Sequence, residues 1–501
     1  MPSLRRRFAG SLPNTCALAA LALTVGAAVP AAAAEPPAAA EAERPARRSG
    51  ADLARRPDER RPEGGYTVDI FGQSVRFSGE HEITHETRRN FDFNRERRRD
   101  RARLDQELKL EASFTPAPGA SVFLQLVAIS EIETWRQSGK KESFGELKRG
   151  QTWVFVARPG GLPLDLQAGR IGLIEPRSWW WDADLDAVRV YLGRSSDWLV
   201  ETGLGQRLMP VSTDERGIDA KEEGLARWFG RAAWMWRKRH NVEFYWLLAR
   251  DRSGRPASGR IVRERRADES DADLDWFGLR AAGEERSGGH RFGYWLDLAR
   301  VRGTDWRTDF DDAGANRVVA DGNRRQRVAG SAWDAGMRWS LPGPARPTLW
   351  LGRASGSGDG NPDDDVDHAF RQTGLHANKA RFGGVKRFRY YGELFRPELS
   401  NLAISSLGIS LRFLENSSVD LVLHEYRQRR ASNRLADSRL DRNPTGDSRE
   451  LGRELDLLFA FRESPRMEFT ATFAAFRSGS AFGPRSGDTA HFIKLGMTVN
   501  F

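Results

Sequence analysis

Apolar and polar residues alternate with a period of two along most of this chain. From Ala226 to Arg237 the even positions read Ala226, Trp228, Gly230, Ala232, Trp234 and Trp236. The odd positions read Arg227, Phe229, Arg231, Ala233, Met235 and Arg237. Successive side chains of a strand point to opposite faces, so one face is apolar and the other carries three arginines. Leu104, Leu108, Leu110, Ala112 and Phe114 oppose Asp105, Glu107, Lys109, Glu111 and Ser113 in the same way. Val242, Phe244, Trp246 and Leu248 form a third stripe, and Met467, Phe469, Ala471 and Phe473 a fourth. A soluble sheet also alternates, with its apolar face inward. Here the polar face carries charges of both signs in strand after strand, and aromatics gather at strand ends. That is the pattern of a strand with lipid on one side and a polar lumen on the other.

About 18 such stretches can be placed, near 67–80, 102–115, 119–133, 145–158, 163–172, 184–193, 196–209, 224–237, 240–250, 271–283, 289–302, 327–340, 347–355, 400–414, 417–428, 450–462, 466–477 and 489–501. Their connections alternate between long polar segments (Arg252–Glu269, Gly303–Gln326, Arg427–Arg449) and tight turns such as Pro116–Gly119, Pro342–Pro344 and Glu463–Pro465. Long loops outside and short turns in the periplasm predict an all-β, 18-stranded antiparallel transmembrane barrel of the bacterial outer membrane, spanning residues 66–501. The last stretch places Ile493, Leu495, Met497, Val499 and the terminal Phe501 on one face. This final strand reads as the signal handed to the barrel assembly machinery.

The N-terminus supplies the address. Arg5, Arg6 and Arg7 precede an Ala/Leu/Val-rich run from Ala17 to Val29, and Ala32-Ala33-Ala34 offers a cleavage site, so residues 1–34 read as a removable signal peptide. Residues 35–65, rich in Pro, Arg, Ala and Glu, contain nothing that could bury a core and read as a disordered lead-in. No later run has the length and apolarity of a spanning helix. Cys16, the one cysteine, leaves with the leader, which excludes disulfides and thiolate chemistry.

Composition sharpens this picture in one respect. Losing Arg5, Arg6 and Arg7 takes the net charge from +10 to +7, which favours an anionic partner. Sixteen tryptophans exceed what a soluble nucleic-acid binder needs, so outer-membrane lipid is one expected partner and nucleic acid is not. Catalysis is not indicated. Glu454/Asp456 and Asp184/Asp186 are carboxylate pairs at i, i+2, which places each pair on one strand face, read here as the lumen face. No nucleophile-elbow, zinc-protease or phosphate-loop motif occurs, and no cofactor is expected. The acidic segment Asp359–Asp367 could ligate Ca²⁺, but its spacing fits no ligand template and a solvated extracellular loop is the preferred reading.

Several segments resemble the alginate-export porin family of the outer membrane. These are GRASGSGDG (352–360), FRQTGLHANKARFGGVKRF (370–388), GELFRPELSNL (392–402), GRELDLLFAF (452–461), AFGPRSGDTAHF (481–492) and QAGRIGLIEPRSWWWDADLDAVRV (167–190). The resemblance implies an 18-stranded barrel whose electropositive lumen passes a polyanionic uronate polymer outward by diffusion. By local match it implies basic lumen positions at Arg76, Lys379 and Arg387 and acidic ones at Asp182 and Asp214. The strand pattern adds Arg170, Arg189, Arg227, Arg231 and Arg237 as pore-lining candidates. Guanidinium groups match carboxylates bidentately and stay charged, which suits a uronate path. An arginine inside a barrel can equally pair with an acid and brace the wall. Thr470 and Thr472 stand where the family has arginines, and the turn Glu463–Pro465 and the basic loop Arg136–Glu146 are shorter than the family's gating loops. The expected function is export of an alginate-like polysaccharide, with a periplasmic export complex as a further partner. A general anion-selective porin for small acidic solutes and a non-conducting structural or adhesion barrel are the alternatives.

Overall fold

The computed structural model describes Leu53 and residues 65–501, except 95–98, 138, 140, 194–196, 216, 362 and 363. The leader expected at 1–34 lies outside the described residues. Eighteen strands form the wall: β1 (Gln73–Arg89), β2 (Arg101–Phe114), β3 (Ala120–Arg136), β4 (Ser143–Ala157), β5 (Leu164–Ile174), β6 (Asp182–Leu192), β7 (Trp198–Gly205), β8 (Ala226–Arg237), β9 (His240–Arg250), β10 (Ser270–Ser287), β11 (His290–Gly314), β12 (Arg317–Ser340), β13 (Thr348–Gly356), β14 (Leu402–Leu414), β15 (Ser417–Gln428), β16 (Glu450–Phe461), β17 (Met467–Ser478) and β18 (Thr489–Asn500). Each pairs antiparallel with the next, and β18 returns to β1 in a register running from Asn500↔Glu80 to His491↔Arg89. Closure leaves no sheet edge to meet hydrocarbon. The terminal residue secures the seam: Phe501 and Gly79 exchange backbone hydrogen bonds of 2.7 and 3.0 Å.

The alternation places side chains as the sequence indicates. On β8, Trp228, Trp234 and Trp236 are exposed outward while Arg227, Phe229 and Arg231 are buried inward. Strand ends differ from expectation in two places. The stretch 67–80 is broken by a two-residue turn at Phe71-Gly72, both with positive φ, so Tyr66–Ile70 is a separate arm folded back on β1. Residues 303–326, expected to be a loop, form a long hairpin extending β11 and β12 around Ala315-Asn316. Such a hairpin is wetted on both faces and needs no apolar stripe.

The wall has one irregular seam. β4 and β5 pair only between Thr152–Ala157 and Asp165–Arg170. Above this, β4 bonds instead to the connection after β7: Arg149 donates its N–H to the Val211 carbonyl at 2.8 Å and Thr213 to Leu147 at 2.9 Å. The charges of the seam lie on the strand face opposite to Leu185 and Ala187, which pack into the lumen core.

The outward face is apolar over most of the wall, so a charge placed there must be dragged into lipid. Leu421→Arg, mid-height on β15, should destabilise the folded barrel by about 2–4 kcal/mol, and Met467→Arg, at the interface end of β17, by about 0–1 kcal/mol. Equilibrium urea unfolding in lipid vesicles checks both. Equal costs at the two positions would contradict this placement of the membrane.

Candidate functional site

The lumen is occupied by the connection between β13 and β14, residues 357–401. By the loop-length rule it starts on the extracellular side, yet it runs down the inside of the barrel to the periplasmic ends of the strands. There Arg412 Nε donates to the Gly383 carbonyl (3.2 Å), Ser418 Oγ accepts from the Val385 N–H (2.8 Å), and Arg462 Nη1 donates to the Val385 carbonyl (3.2 Å). A short pairing of Lys379–Ala380 with Phe388–Arg389 stiffens the tip. Apolar residues of the segment drive it inward: Phe370, Phe382, Phe388, Leu394, Phe395 and Leu399 are all buried. They join Trp179, Trp180 and Trp181 of the β5–β6 connection in one aromatic core. Leu53, within the stretch expected to lack structure, packs against the same core. Trp350 and Phe382 stack at 4.1 Å and Trp180 lies parallel to Tyr245 at 5.0 Å, offset geometries that aromatic quadrupoles favour. Trp180 approaches the wall at Gly278, where a Cβ would fall 2.2 Å from its ring.

A buried charge network holds this core to the wall. Arg280 of β10 donates from Nε to Asp297 of β11 and from Nη2 to Glu175 at 3.2 Å. Arg177 bridges Asp297 (3.2 Å) and Asp334 of β12 (2.8 Å), and its guanidinium lies 4.6 Å from both the Trp295 and Tyr390 rings. Tyr391 donates to Asp334 at 2.7 Å and accepts from Trp179 Nε1 at 2.9 Å. Although burial alone would raise it, Arg280 and the N–H groups of Arg177 and Trp180 hold the Glu175 carboxyl down at about 2. Two cations, three carboxylates and a tyrosine thus join two lumen loops to three strands. Glu454 and Asp456, a pair considered for chemistry, pin the loop as well: Glu454 accepts the N–H groups of Leu394 (2.7 Å) and Phe395 (2.9 Å), and Asp456 that of Glu393 (3.1 Å).

The sequence-derived pore candidates separate into distinct groups. Arg189, Arg227 and Arg231 face inward but are paired. Arg189 donates to Gln167 (2.6 Å), Arg227 to Glu222 (2.7 and 2.9 Å), and Arg231 lies between Glu201 (2.7 Å) and Glu243 (3.3 Å). Arg387 and Lys379 lie on the lumen loop. Arg387 Nη2 donates to Ser178 Oγ (2.6 Å) and the carbonyls of Glu175, Pro176 and Lys379, and Nη1 lies 3.7 Å from Asp182. It is a strut between loops. Arg76 sits low on β1, half-buried beside Ser113.

Four placements correct the sequence reading. Arg170 faces away from the lumen. Gln167, Ile171 and Leu173 hold the inward face of β5, so plain alternation puts Arg170 on the opposite face, 3.9 Å from Asp186, in the seam beneath the β7–β8 connection. Asp184 and Asp186 share that outward face rather than the lumen, held by Gln151 (3.1 Å) and Arg149 (2.9 Å). Asp214 is exposed on the same connection, and Arg237 is an exposed rim residue at the end of β8, 3.0 Å from Glu285. The acidic segment also rearranges: Asp367 pairs with Arg371 at 2.7 Å. Among the described residues the carboxylate trio that converges is Asp251 and Asp268 of the β9–β10 connection with Asp271 at the start of β10.

The sequence reading missed a file of cations on the lumen segments. Lys386 at the loop tip donates to Thr472 Oγ1 at 2.7 Å, restoring a positive charge beside a wall position where the family resemblance implied arginine. Above it come Arg389 and Arg396, then Arg439 from the β15–β16 connection, 3.0 Å from Glu86 near the top of β1. Burial and the Arg396 charge bring Arg389 down to about 10. Burial with Arg88 and then Arg396 does the same for Arg439. Like charges close enough to depress one another mark an under-neutralised lane. Lys386 and Arg396 lie in the segments quoted for the resemblance and Arg389 falls between two of them, but only the folded loop reveals their vertical order.

Residues 55–495 match the alginate export family. The chain belongs to this family. It is similar to the alginate production protein AlgE of Pseudomonas aeruginosa, 25% identical over 389 residues, covering 71% of this chain and 75% of the relative. AlgE of Azotobacter vinelandii is 27% identical over 362 residues, covering 68% and 72%. Among solved structures, OccD3 (OpdP) of P. aeruginosa superposes with a TM-score of 0.52 at 11% identity, covering 92% of this chain and 98% of that one. OccK5 (OpdH) superposes at 0.51 and 10% identity, covering 85% and 98%. At such identities the likeness shows the fold alone, an outer-membrane barrel. This alginate export barrel is therefore an outer-membrane protein of a transport family.

Two results should follow from the plugged lumen. Arg280→Met leaves Glu175 and Asp297 without their shared cation and should cost about 3–5 kcal/mol in urea unfolding. An unchanged midpoint would show that the network is dispensable. The second concerns Glu398 on the loop, whose carboxyl is pushed up to about 7 by burial and by Asp437. Its neighbour His376, 3.8 Å away, is brought down to about 3 by burial with Arg389 and Arg396, so the contact is one between neutral groups. An acid with a raised folded value favours the packed loop when protonated. The folded loop is increasingly penalised as pH climbs from 4.5 toward 7 and carries the full penalty above that. His376 acts in the opposite sense, penalising the packed loop as pH falls below 6.5. The Glu398 contribution is therefore isolated at about pH 8, where single-channel current should be smaller in Glu398→Gln than in wild type. Equal currents of the two at about pH 8 would refute it.

Proposed function

We propose that this barrel is a gated export channel for an alginate-like uronate polysaccharide, which diffuses outward along a lane of lumen cations. The observation that carries the reading is the vertical order of Lys386, Arg389, Arg396 and Arg439, beginning at the periplasmic loop tip and ending beside Arg88 at the top of β1. A uronate chain carries about one carboxylate per sugar, so successive residues can pass from one guanidinium to the next. Conduction needs release as well as capture. Acids beside the lane serve that purpose: Glu86 bonds Arg439, and Glu393, held below the usual carboxylate range by Lys386 and Arg389 despite its burial, shares the loop. The packed loop favours a pore that must loosen to conduct. Delivery of polymer by a periplasmic export complex and assembly through the final strand ending in Phe501 belong to the same proposal.

Oligouronates should block chloride current through the reconstituted barrel, and neutral oligosaccharides of equal length should block far less. Block should fade with salt, since charges separated by more than about 8 Å are largely screened at physiological ionic strength. Lys386→Gln, Arg396→Gln and Arg439→Gln should each weaken block by up to roughly five-fold, about 1 kcal/mol per exposed pair. Anion preference in reversal potentials should fall in parallel. Equal block by acidic and neutral oligomers would replace this reading with a general porin. Absence of any current at all pH values would replace it with a structural barrel.

A further inference from the structure

The outer face of the barrel carries a cavity of about 480 Å³ that has no part in the lumen lane. It lies at the extracellular ends of β13, β14 and β15 and is lined by five arginines: Arg353, Arg427, Arg429, Arg430 and Arg449. Strand alternation fixes which way it opens. Arg353 shares the outward face of β13 with Leu349 and Leu351, while Trp350 and Ala354 point into the core. Arg427 shares the outward face of β15 with Leu421 and Leu423, while Val422 and Tyr426 are buried. Between them Ala403, a small side chain on the outward face of β14 and one of the lining residues, leaves the hollow.

The main chain that carries the cations is fixed by hydrogen bonds, and the guanidinium groups themselves are exposed. Asn401 accepts the Arg430 N–H at 2.8 Å and donates to the Arg430 carbonyl at 2.9 Å, and its own carbonyl takes the Arg429 N–H at 3.0 Å. The Gln428 N–H bonds the Arg449 carbonyl at 2.7 Å. No carboxylate among the described residues pairs with any of the five. The outward acid on β15, Glu425, is taken by Arg453 at 3.3 Å. Five like charges around one cavity repel one another, and an anion placed among them relieves this.

We propose that this cavity binds the phosphate of an anionic glycolipid in the outer leaflet, with the lipid's acyl chains lying along the leucines beneath. The position supports a lipid over the exported polymer. The cavity opens outward, away from the lumen, and sits directly above Leu349, Leu351, Leu407, Leu421 and Leu423, so one amphipathic ligand matches both the charged and the apolar surface. Guanidinium forks suit phosphate oxygens bidentately.

The test uses the full barrel in maltoside detergent, titrated with bisphosphorylated lipid A and read by native mass spectrometry. Each arginine near an anionic headgroup is worth about a factor of five, so Arg427→Glu/Arg429→Glu/Arg449→Glu should weaken binding by about a hundred-fold or more. Arg466→Glu, in the β16–β17 turn at the opposite rim, should leave it unchanged. Retained heat-modifiable mobility on gels reports that the triple variant is folded. The wild-type barrel gives a second readout that needs no variant: lipid A stripped of its phosphates should bind at least about ten-fold more weakly. Equal binding of the two lipids would overturn the proposal, as would a folded triple variant that binds like wild type. Displacement of lipid A by a soluble oligouronate at equal charge concentration would also overturn it and assign the cavity to the emerging polymer. Inorganic phosphate at the same concentration should not displace it, since it lacks the apolar half of the contact.

Discussion

The lumen of this barrel depends on the burial of Arg177 and Arg280 among Glu175, Asp297 and Asp334. Charges taken out of water cost several kcal/mol each unless partners and hydrogen bonds replace the lost hydration. Here the partners come from five segments. Glu175 and Arg177 come from the β5–β6 connection, Arg280, Asp297 and Asp334 from three adjacent strands, and Tyr391 from the long loop. The network is satisfied only when loop and wall are both in place. Folding of the plug and closure of that part of the wall are therefore coupled events, and a substitution in either should be felt in both.

That coupling explains how a barrel can be filled without becoming inert. The loop packs its aromatic residues against the wall from β10 to β17, where Phe395 stacks on Phe476 at 5.1 Å, and presents Lys386, Arg389 and Arg396 on the segment that reaches toward β17, β18 and β1. Packing and conduction thus use different residues of one segment. The inward arginines of the wall strands, Arg189, Arg227 and Arg231, hold the barrel together through paired neighbours and leave the lane to the loop. Glu398 and His376, buried as a neutral contact, tie the packed state to pH.

The outer surface follows the same division. Its apolar band answers to lipid tails, and the arginine cavity above it to a headgroup. The β4–β5 seam shows a third solution: where strand pairing lapses, a connection supplies the missing hydrogen bonds and covers Arg149, Arg170 and Asp186. An unpaired strand edge facing lipid would cost several kcal/mol for each bare backbone group, so some such cover is required.

The period-two pattern by itself determined the strand number, the antiparallel order, the membrane-facing side of β8, β9, β17 and β18, and the alternation of long and short connections. Those features depend on neighbours along the chain and on the two solvents at the wall, and both are written locally. The family resemblance located the loop segments that matter, though not their function. What only the tertiary structure decided was partnership. Arg231 and Arg387 look equally suited to line a pore, yet one is locked between Glu201 and Glu243 and the other bolts two loops together. Arg170 kept its strand but lies on the outward face, because Gln167, Ile171 and Leu173 on the alternate positions are the residues that pack inward. Phe71-Gly72 turned the chain without interrupting its pattern. The cation lane and the outer arginine cavity each join residues tens to hundreds of positions apart. Electrostatic and packing energies depend on distances in space, and no periodicity along one strand encodes the distance to another segment folded back through the barrel.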